Sequence, residues 1–323
     1  MSSKPIIIVP GEPHSVFSEI LFKSLKIYCP NKPIIIIGSI NLFLKQMKSL
    51  NYKFKLQEIE KEFPLKLVSK KNLIYFINVN YKFKKKFSSI TDNSNKYIEE
   101  CFRIALEVLN NKKSIGLING PISKKNFLKN KFLGITEYLR SKTKSKKTVM
   151  LIYSKNFSVS PITTHLAFKD ILKNISAKKI IENTILIKNF YKRYFKINPK
   201  VAITGINPHC ESKYKNNEES KIILPALKKL KKKYDYIYGP YPVDSLFMKD
   251  LIYKFDVVIG MYHDQVLTPA KAINNFNAIN ITLGLPFIRI SPDHGPNEKM
   301  QGKNVSNPQS LLEAIKFLDL KCK

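Results

Sequence analysis

"FDVVIGMYHDQ" (residues 255–265) sets a β-branched apolar run directly against three polar side chains, His263, Asp264 and Gln265. The apolar part predicts a strand buried on both faces. A turn that only reverses the chain draws on Gly, Asn, Pro or Ser. A strand that stops on imidazole and carboxylate either presents chemistry at its C-terminal edge or caps the helix that follows. Seven further strand-like runs share the chain with it: "PIIIVP" (5–10), "KPIIIIG" (32–38), "NLIYFI" (72–77), "SIGLING" (114–120), "TVMLIY" (148–153), "KVAITGI" (200–206) and "AINITLG" (278–284). Helical patterns lie between them, among them 94–110, 178–193, 218–232 and 306–318. Apolar runs alternating with helices predict an α/β fold around parallel, doubly covered sheet.

The 323 residues suffice for two α/β domains or one large one, and a hydrophobic content of 44% supports a substantial core. No apolar run reaches the roughly 18 to 20 residues of a membrane span. The start, "MSSKPIIIVPGEP", lacks a signal peptide's basic, hydrophobic and cleavage regions. Cys29, Cys101, Cys210 and Cys322 are scattered without CxxC spacing, which argues against disulfides or a thiolate zinc site. The expectation is a cytoplasmic protein with no membrane partner.

A net charge of +32 raises the question of nucleic acid. Only Arg103, Arg140, Arg193 and Arg289 of the 56 basic residues are arginine, the planar fork that reads phosphates and base edges. The lysines are spread along the whole chain among Asn, Ile, Phe and Tyr, so no specific nucleic-acid partner is expected. No Gly-x-Gly-x-x-Gly and no P-loop occurs.

Three of the five histidines repeat the context of the opening stretch. His165 follows the extended run in "SVSPITTHLAF", His209 follows "KVAITGINP", and His263 follows "FDVVIGMY". Parallel strands gather their C-termini along one edge, where ligands bind. Three imidazoles delivered there suit one divalent ion with a position left open for substrate; the alternative for each is a satisfied structural histidine. A second cluster joins Lys271, Asn280, Arg289, Asp293 and His294. Arg289 lies inside the apolar "PFIRIS", and a buried guanidinium needs an anion. Either a structural salt bridge or a substrate phosphate or carboxylate supplies it.

"NGPISK", "ITTHLAFKDI", "GINPHCE", "GPYPVDSLF", "GMYHDQVLTPAK" and "NITLGLPFIRISPDHG" together resemble the 4-hydroxythreonine-4-phosphate dehydrogenase family of vitamin B6 biosynthesis. The likeness runs in order from "PGEP" (10–13) to the C-terminus and is strongest over about 160–295. It implies a two-domain fold like that of isocitrate and isopropylmalate dehydrogenases, with the active site in the interdomain cleft. The expected subdomains are 1–135 with 270–323, and 136–269. It implies a homodimer whose divalent metal (zinc, magnesium or cobalt) is held by His165 and His209 of one subunit and His263 of the other. Substrate contacts fall on Thr136, Lys271, Asn280 and Arg289, with Lys271 and Asp244 as catalytic groups and His294 and Gly295 near an NAD or NADP cofactor. The implied reaction oxidises 4-phosphooxy-L-threonine and decarboxylates the product to 3-amino-2-oxopropyl phosphate. The same chemistry on 4-phosphothreonate or 4-phosphoerythronate is the alternative. The chain departs from the family pattern in "GEPHSVFSE", where two glycines are replaced, and in "PNEKMQGKN" (296–304). It also carries Ile135 where the family has a substrate-binding histidine.

Overall fold

Runs of isoleucine and valine place strands where side chains can be buried on both faces. The computed structural model describes residues 4–64, 67–129, 131–211 and 216–322. The chain divides into two compact units, Met1–Lys146 with Leu285–Lys323, and Lys147–Gly284. The first unit opens with β1 (Ile6–Val9), α1 (Phe17–Ile27), β2 (Ile34–Gly38), α2 (Ile40–Ser49), β3 (Lys55–Glu58), β4 (Leu73–Asn78), α3 (Asn95–Asn110), β5 (Gly116–Asn119) and α4 (Ile135–Lys142). The second contains β6 (Val149–Tyr153), β7 (Ser158–Thr163), α5 (Ala177–Phe195), β8 (Val201–Thr204), α6 (Leu224–Lys231), β9 (Ile237–Tyr241), α7 (Val243–Leu246), α8 (Lys249–Ile252), β10 (Val257–Tyr262), α9 (His263–Asn274) and β11 (Ile279–Leu283). The chain then returns to the first unit with β12 (Arg289–Pro292) and α10 (Gln309–Lys321).

In the first unit the strand order is β3-β4-β2-β1-β5-β12, and every pairing is parallel. Ile7 lies opposite both Ile35 and Leu117. Side chains alternate across a strand, and this row of the sheet packs against Ile98, Cys101, Phe102, Ala105 and Val108 of α3. Those positions recur every three to four residues, the stripe of an amphipathic helix. At the carboxyl end of this sheet the "PGEP" and "NGPIS" segments meet backbone to backbone. Gly120 N donates to Val9 O at 2.8 Å and Glu12 N to Pro121 O at 2.9 Å. A Cβ on Gly120 would stand 2.0 Å from Pro10 O, so only glycine admits this approach.

The second unit has the order β11-β6-β7-β10-β8-β9. Strands β7, β10, β8 and β9 pair in parallel, but β6 runs antiparallel to both β7 and β11. The wholly parallel sheet expected from the sequence is therefore a mixed one here. Only residues 154–157 separate β6 from β7, too few for a parallel crossover. Ser154 Oγ closes that turn by donating to Phe157 O at 2.8 Å.

The units divide further along the chain than the sequence suggested. A cut at 269/270 would split helix α9, whereas the actual boundaries fall between elements. Gly284, at φ +89°, ends the second unit with its Cα facing Lys147 O, where a Cβ would approach to 2.2 Å. Lys271 and Asn280 thus belong to the second unit, and Thr136 to the first. Among the described residues no helix is long and apolar enough to cross a membrane.

Candidate active site

Strands β7, β10 and β8 are neighbours in one parallel set, so their carboxyl ends share an edge. His165 follows β7 by two residues, His263 begins α9 directly after β10, and His209 lies in the turn after β8. The edge predicted from the sequence is present. The rings of His165 and His263 in the same chain are 5.7 Å apart between centroids. The backbone is left-handed at His165 (φ 45°), His209 (φ 56°) and Cys210 (φ 60°). Such conformations are unfavourable for residues with a Cβ and persist where surrounding structure imposes them. His263 Nδ1 lies 2.7 Å from Asp264 Oδ1. With the carboxylate accepting from Nδ1, Nε2 is the ring nitrogen left for other contacts.

Gln265 explains why the strand stops on "HDQ". Its Oε1 accepts from Met261 N at 2.7 Å and from Thr204 Oγ1 at 3.0 Å, and its Nε2 donates to Gly205 O at 2.8 Å. Thr163 Oγ1 donates to Met261 O at 2.8 Å. One buried polar chain therefore ties the ends of β7, β10 and β8 together immediately behind the three histidines. Neither Thr163 nor Thr204 was singled out from the sequence, because their partners come from other strands.

The other second-unit candidates are more dispersed. Lys271 is exposed in the last turn of α9, and Asp244 is exposed on α7. Asn280 lies opposite Ile152 in the β11–β6 pairing. Its Oδ1 is buried and has no hydrogen-bond partner among the described residues.

In the first unit Arg289 begins β12 and is fully buried, with 0% exposure. Its Nε donates to Asn119 Oδ1 at 2.6 Å, and its Nη1 lies 3.5 Å from Thr136 Oγ1. Burial pushes the guanidinium pKa down, while the nearby Glu137 carboxylate opposes that shift. The arginine is thus engaged through both Nε and Nη1. Thr136 is in the first turn of α4, beside Ile135, which packs against the hydrophobic core under α3. An apolar side chain at 135 has joined the core. His294 Nδ1 stands 2.9 Å from Gly295 O, and burial lowers the ring's pKa, favouring the neutral form. Its Nε2 is buried without a hydrogen-bond partner among the described residues.

Glu12 was not among the residues read as functional. It is 1% exposed and accepts from Ser94 Oγ at 3.0 Å and Ser123 N at 3.1 Å. Desolvation outweighs these donors and pushes its pKa up to about 6. His14, two residues on, is buried with its ring 5.8 Å from that of Tyr81. Here the altered "GEPHSVFSE" segment fills space with side chains.

Among the described residues of one chain, no three His, Cys, Asp or Glu side chains stand close enough together to hold a metal. The donor set is nonetheless suited to one. Three imidazoles lie along one strand edge, and two are on constrained backbone. Nitrogen donors of this kind fit zinc or cobalt better than magnesium, which prefers oxygen.

Comparison with known proteins places this geometry in a family. The model for pyridoxal phosphate biosynthetic protein PdxA matches residues 30–318. A 4-hydroxythreonine-4-phosphate dehydrogenase of Sulfurihydrogenibium sp. is 38% identical over 322 residues, covering 97% of this chain and 96% of that protein. A D-threonate 4-phosphate dehydrogenase of Salmonella typhimurium is 27% identical over 324 residues, covering 98% of each. The crystal structure of a 4-hydroxythreonine-4-phosphate dehydrogenase from Klebsiella pneumoniae superposes with a TM-score of 0.84 at 26% identity, over 98% of both chains. Isocitrate dehydrogenase from Methylococcus capsulatus shares the fold at a TM-score of 0.51 and 11% identity, over 97% of this chain and 84% of that one. The α/β architecture expected from the sequence is thereby established, and the chain belongs to the PdxA family of pyridoxal phosphate biosynthetic dehydrogenases.

Proposed function

We propose that this enzyme oxidises 4-phosphooxy-L-threonine with NAD or NADP and decarboxylates the product to 3-amino-2-oxopropyl phosphate, in the cytoplasm. The observation that carries the reading is the alignment of His165, His209 and His263 on the carboxyl edge of β7, β8 and β10 in a chain of this family. These side chains would hold one divalent ion. When bound, such an ion supplies Lewis-acid stabilisation of negative charge on the substrate oxygen, before and after oxidation. The nicotinamide accepts the hydride. Arg289, positioned by Asn119 and Thr136, takes the substrate phosphate. Asn280 offers its buried carbonyl oxygen to a substrate donor. Lys271 and Asp244 exchange protons with substrate, and neutral His294 with Gly295 lies along the cofactor.

Purified protein stripped of metal should form NAD(P)H from 4-phosphooxy-L-threonine only after zinc or cobalt is restored. No turnover with any metal or either cofactor would overturn the reading. D-Threonate 4-phosphate belongs in the same assay, because Ile135 removes an imidazole and a relative acts by name on that substrate. A higher kcat/KM for it would favour that second reading.

The metal site is proposed to be shared in a homodimer. If so, mixed dimers of His209→Ala and His263→Ala subunits regain activity, because one of their two sites is intact. Unmixed variants stay inactive, and a site built within one chain would show no recovery.

A further inference from the structure

Glu219 is 2% exposed, yet its carboxylate spends three hydrogen bonds on one short segment. Oε1 accepts from Ile206 N and Asn207 N, each at 2.8 Å, and Oε2 accepts from Asn207 Nδ2 at 2.7 Å. Asn207 Nδ2 also donates to Glu218 Oε2 at 2.9 Å. The segment so gripped leads straight into Pro208 and His209, where the backbone turns left-handed. Burial alone would raise the Glu219 pKa, but the donors from Asn207 and Ile206 outweigh it and keep the group ionised. An ionised carboxylate removed from water needs such donors, and the loop in turn acquires an anchor that does not move. On the other side Gly205 O is fixed by Gln265. The His209 loop is therefore held at both ends of residues 205–207.

We infer that Glu219 is a positioning residue, one that fixes the His209 imidazole for metal ligation by holding Ile206 and Asn207. This rests on the metal reading above. A purely structural carboxylate would matter for stability alone. A positioning one controls how tightly an ion binds, since partners behind a metal ligand typically change affinity about 10–100-fold.

Glu219→Gln keeps the volume but turns one acceptor into a donor facing Asn207 Nδ2. Cobalt(II) titration of the purified, metal-free full chain is the measurement, followed by absorption, beside a thermal melt. Affinity should fall about 10–100-fold, with the melting temperature of the metal-free form changed far less than by core substitutions. Saturating cobalt should restore most of kcat. His209→Ala is the control, and saturating metal should not rescue it. Unchanged affinity in Glu219→Gln, with affinity lost in His209→Ala, overturns the positioning role and leaves the proposed function standing. Unchanged affinity in His209→Ala overturns the metal reading, and this inference with it. Should Glu219→Gln fail to fold, Asn207→Ser removes the Nδ2 bonds to Glu219 and Glu218 and leaves the two backbone bonds to Glu219 Oε1 in place. It should weaken cobalt binding several-fold, and no change there would overturn the inference.

Discussion

The burial of Arg289 was foreshadowed in the sequence, because it is a charged residue in an apolar run of an arginine-poor chain. Its burial at 0% exposure makes the identity of the side chain decisive. Lysine keeps the charge but has neither the Nε bond to Asn119 nor the planar fork. Arg289→Lys should therefore lower kcat/KM by about 10–150-fold, equivalent to roughly 1.4–3 kcal/mol, mostly through KM. Steady-state kinetics on a variant with a native-like melt checks this, and unchanged kinetics would exclude the phosphate contact. Asn119 and Glu12 were not legible, since the one matters through a strand 170 residues away and the other through neighbours in two separate segments. Glu12 carries a sign that can be tested. Its folded pKa, about 6, lies above the ordinary carboxylate value, so the folded state binds the proton more tightly than the unfolded state. Stability from this group is full at low pH and is lost as pH rises through the window up to about 6. Glu12→Gln should be more stable than the parent at pH 7.5 by about 2 kcal/mol, and the advantage should vanish near pH 4. Chemical denaturation at the two pH values measures it; a variant equally destabilised at both would show that the carboxylate's hydrogen bonds dominate.

Strands made of continuous Ile and Val declared themselves, because burial on both faces leaves no room for polar alternation. β3 and β9 did not. Lys55–Glu58 is largely exposed, and Ile237–Tyr241 carries a proline, as suits strands outermost in their units. The antiparallel course of β6 was likewise hidden, since apolar content says nothing about direction and only the short turn to β7 does. The polar residues after β10 were read as either chemistry or a cap. They divide the work: His263 is the residue proposed as a metal ligand, and Gln265 fastens strand to strand. Gln265→Met fills a similar volume and removes the three hydrogen bonds of Gln265, leaving only the one from Thr163 to Met261. It leaves Met261 N, Gly205 O and Thr204 Oγ1 to find partners in a buried setting. Buried unsatisfied groups cost about 1–3 kcal/mol each, and partial relaxation brings the expected loss to about 2–4 kcal/mol, read by urea denaturation. A loss below about 0.5 kcal/mol would mean that the strand ends are held by packing alone.

Across the whole chain the family resemblance was legible in ordered motifs, whereas the unit boundaries were not. Where a chain leaves one unit and returns is set by which segments pack together, and α9 and β11 pack within the second unit despite sequence motifs that continue into the first. The charge of +32 is a property of the molecule as a whole, with 56 basic residues against 24 acidic ones. Surface pairs exist, such as Lys142–Glu99 at 3.0 Å and Lys147–Glu182 at 2.7 Å, but acidic partners run out long before lysines do. The remaining lysines repel one another in the folded state more than in the expanded unfolded chain. Salt shortens the reach of that repulsion from about 30 Å at 0.01 M to about 8 Å at 0.15 M. The melting temperature should consequently rise by several degrees when sodium chloride is raised from 10 to about 150 mM. Chloride is the informative anion, since phosphate or sulfate would also stabilise if Arg289 binds them as proposed. If the rise appears in chloride and is unchanged in Arg289→Lys, it belongs to the overall charge. A rise confined to phosphate, and lost in that variant, would instead locate the effect at the one buried arginine.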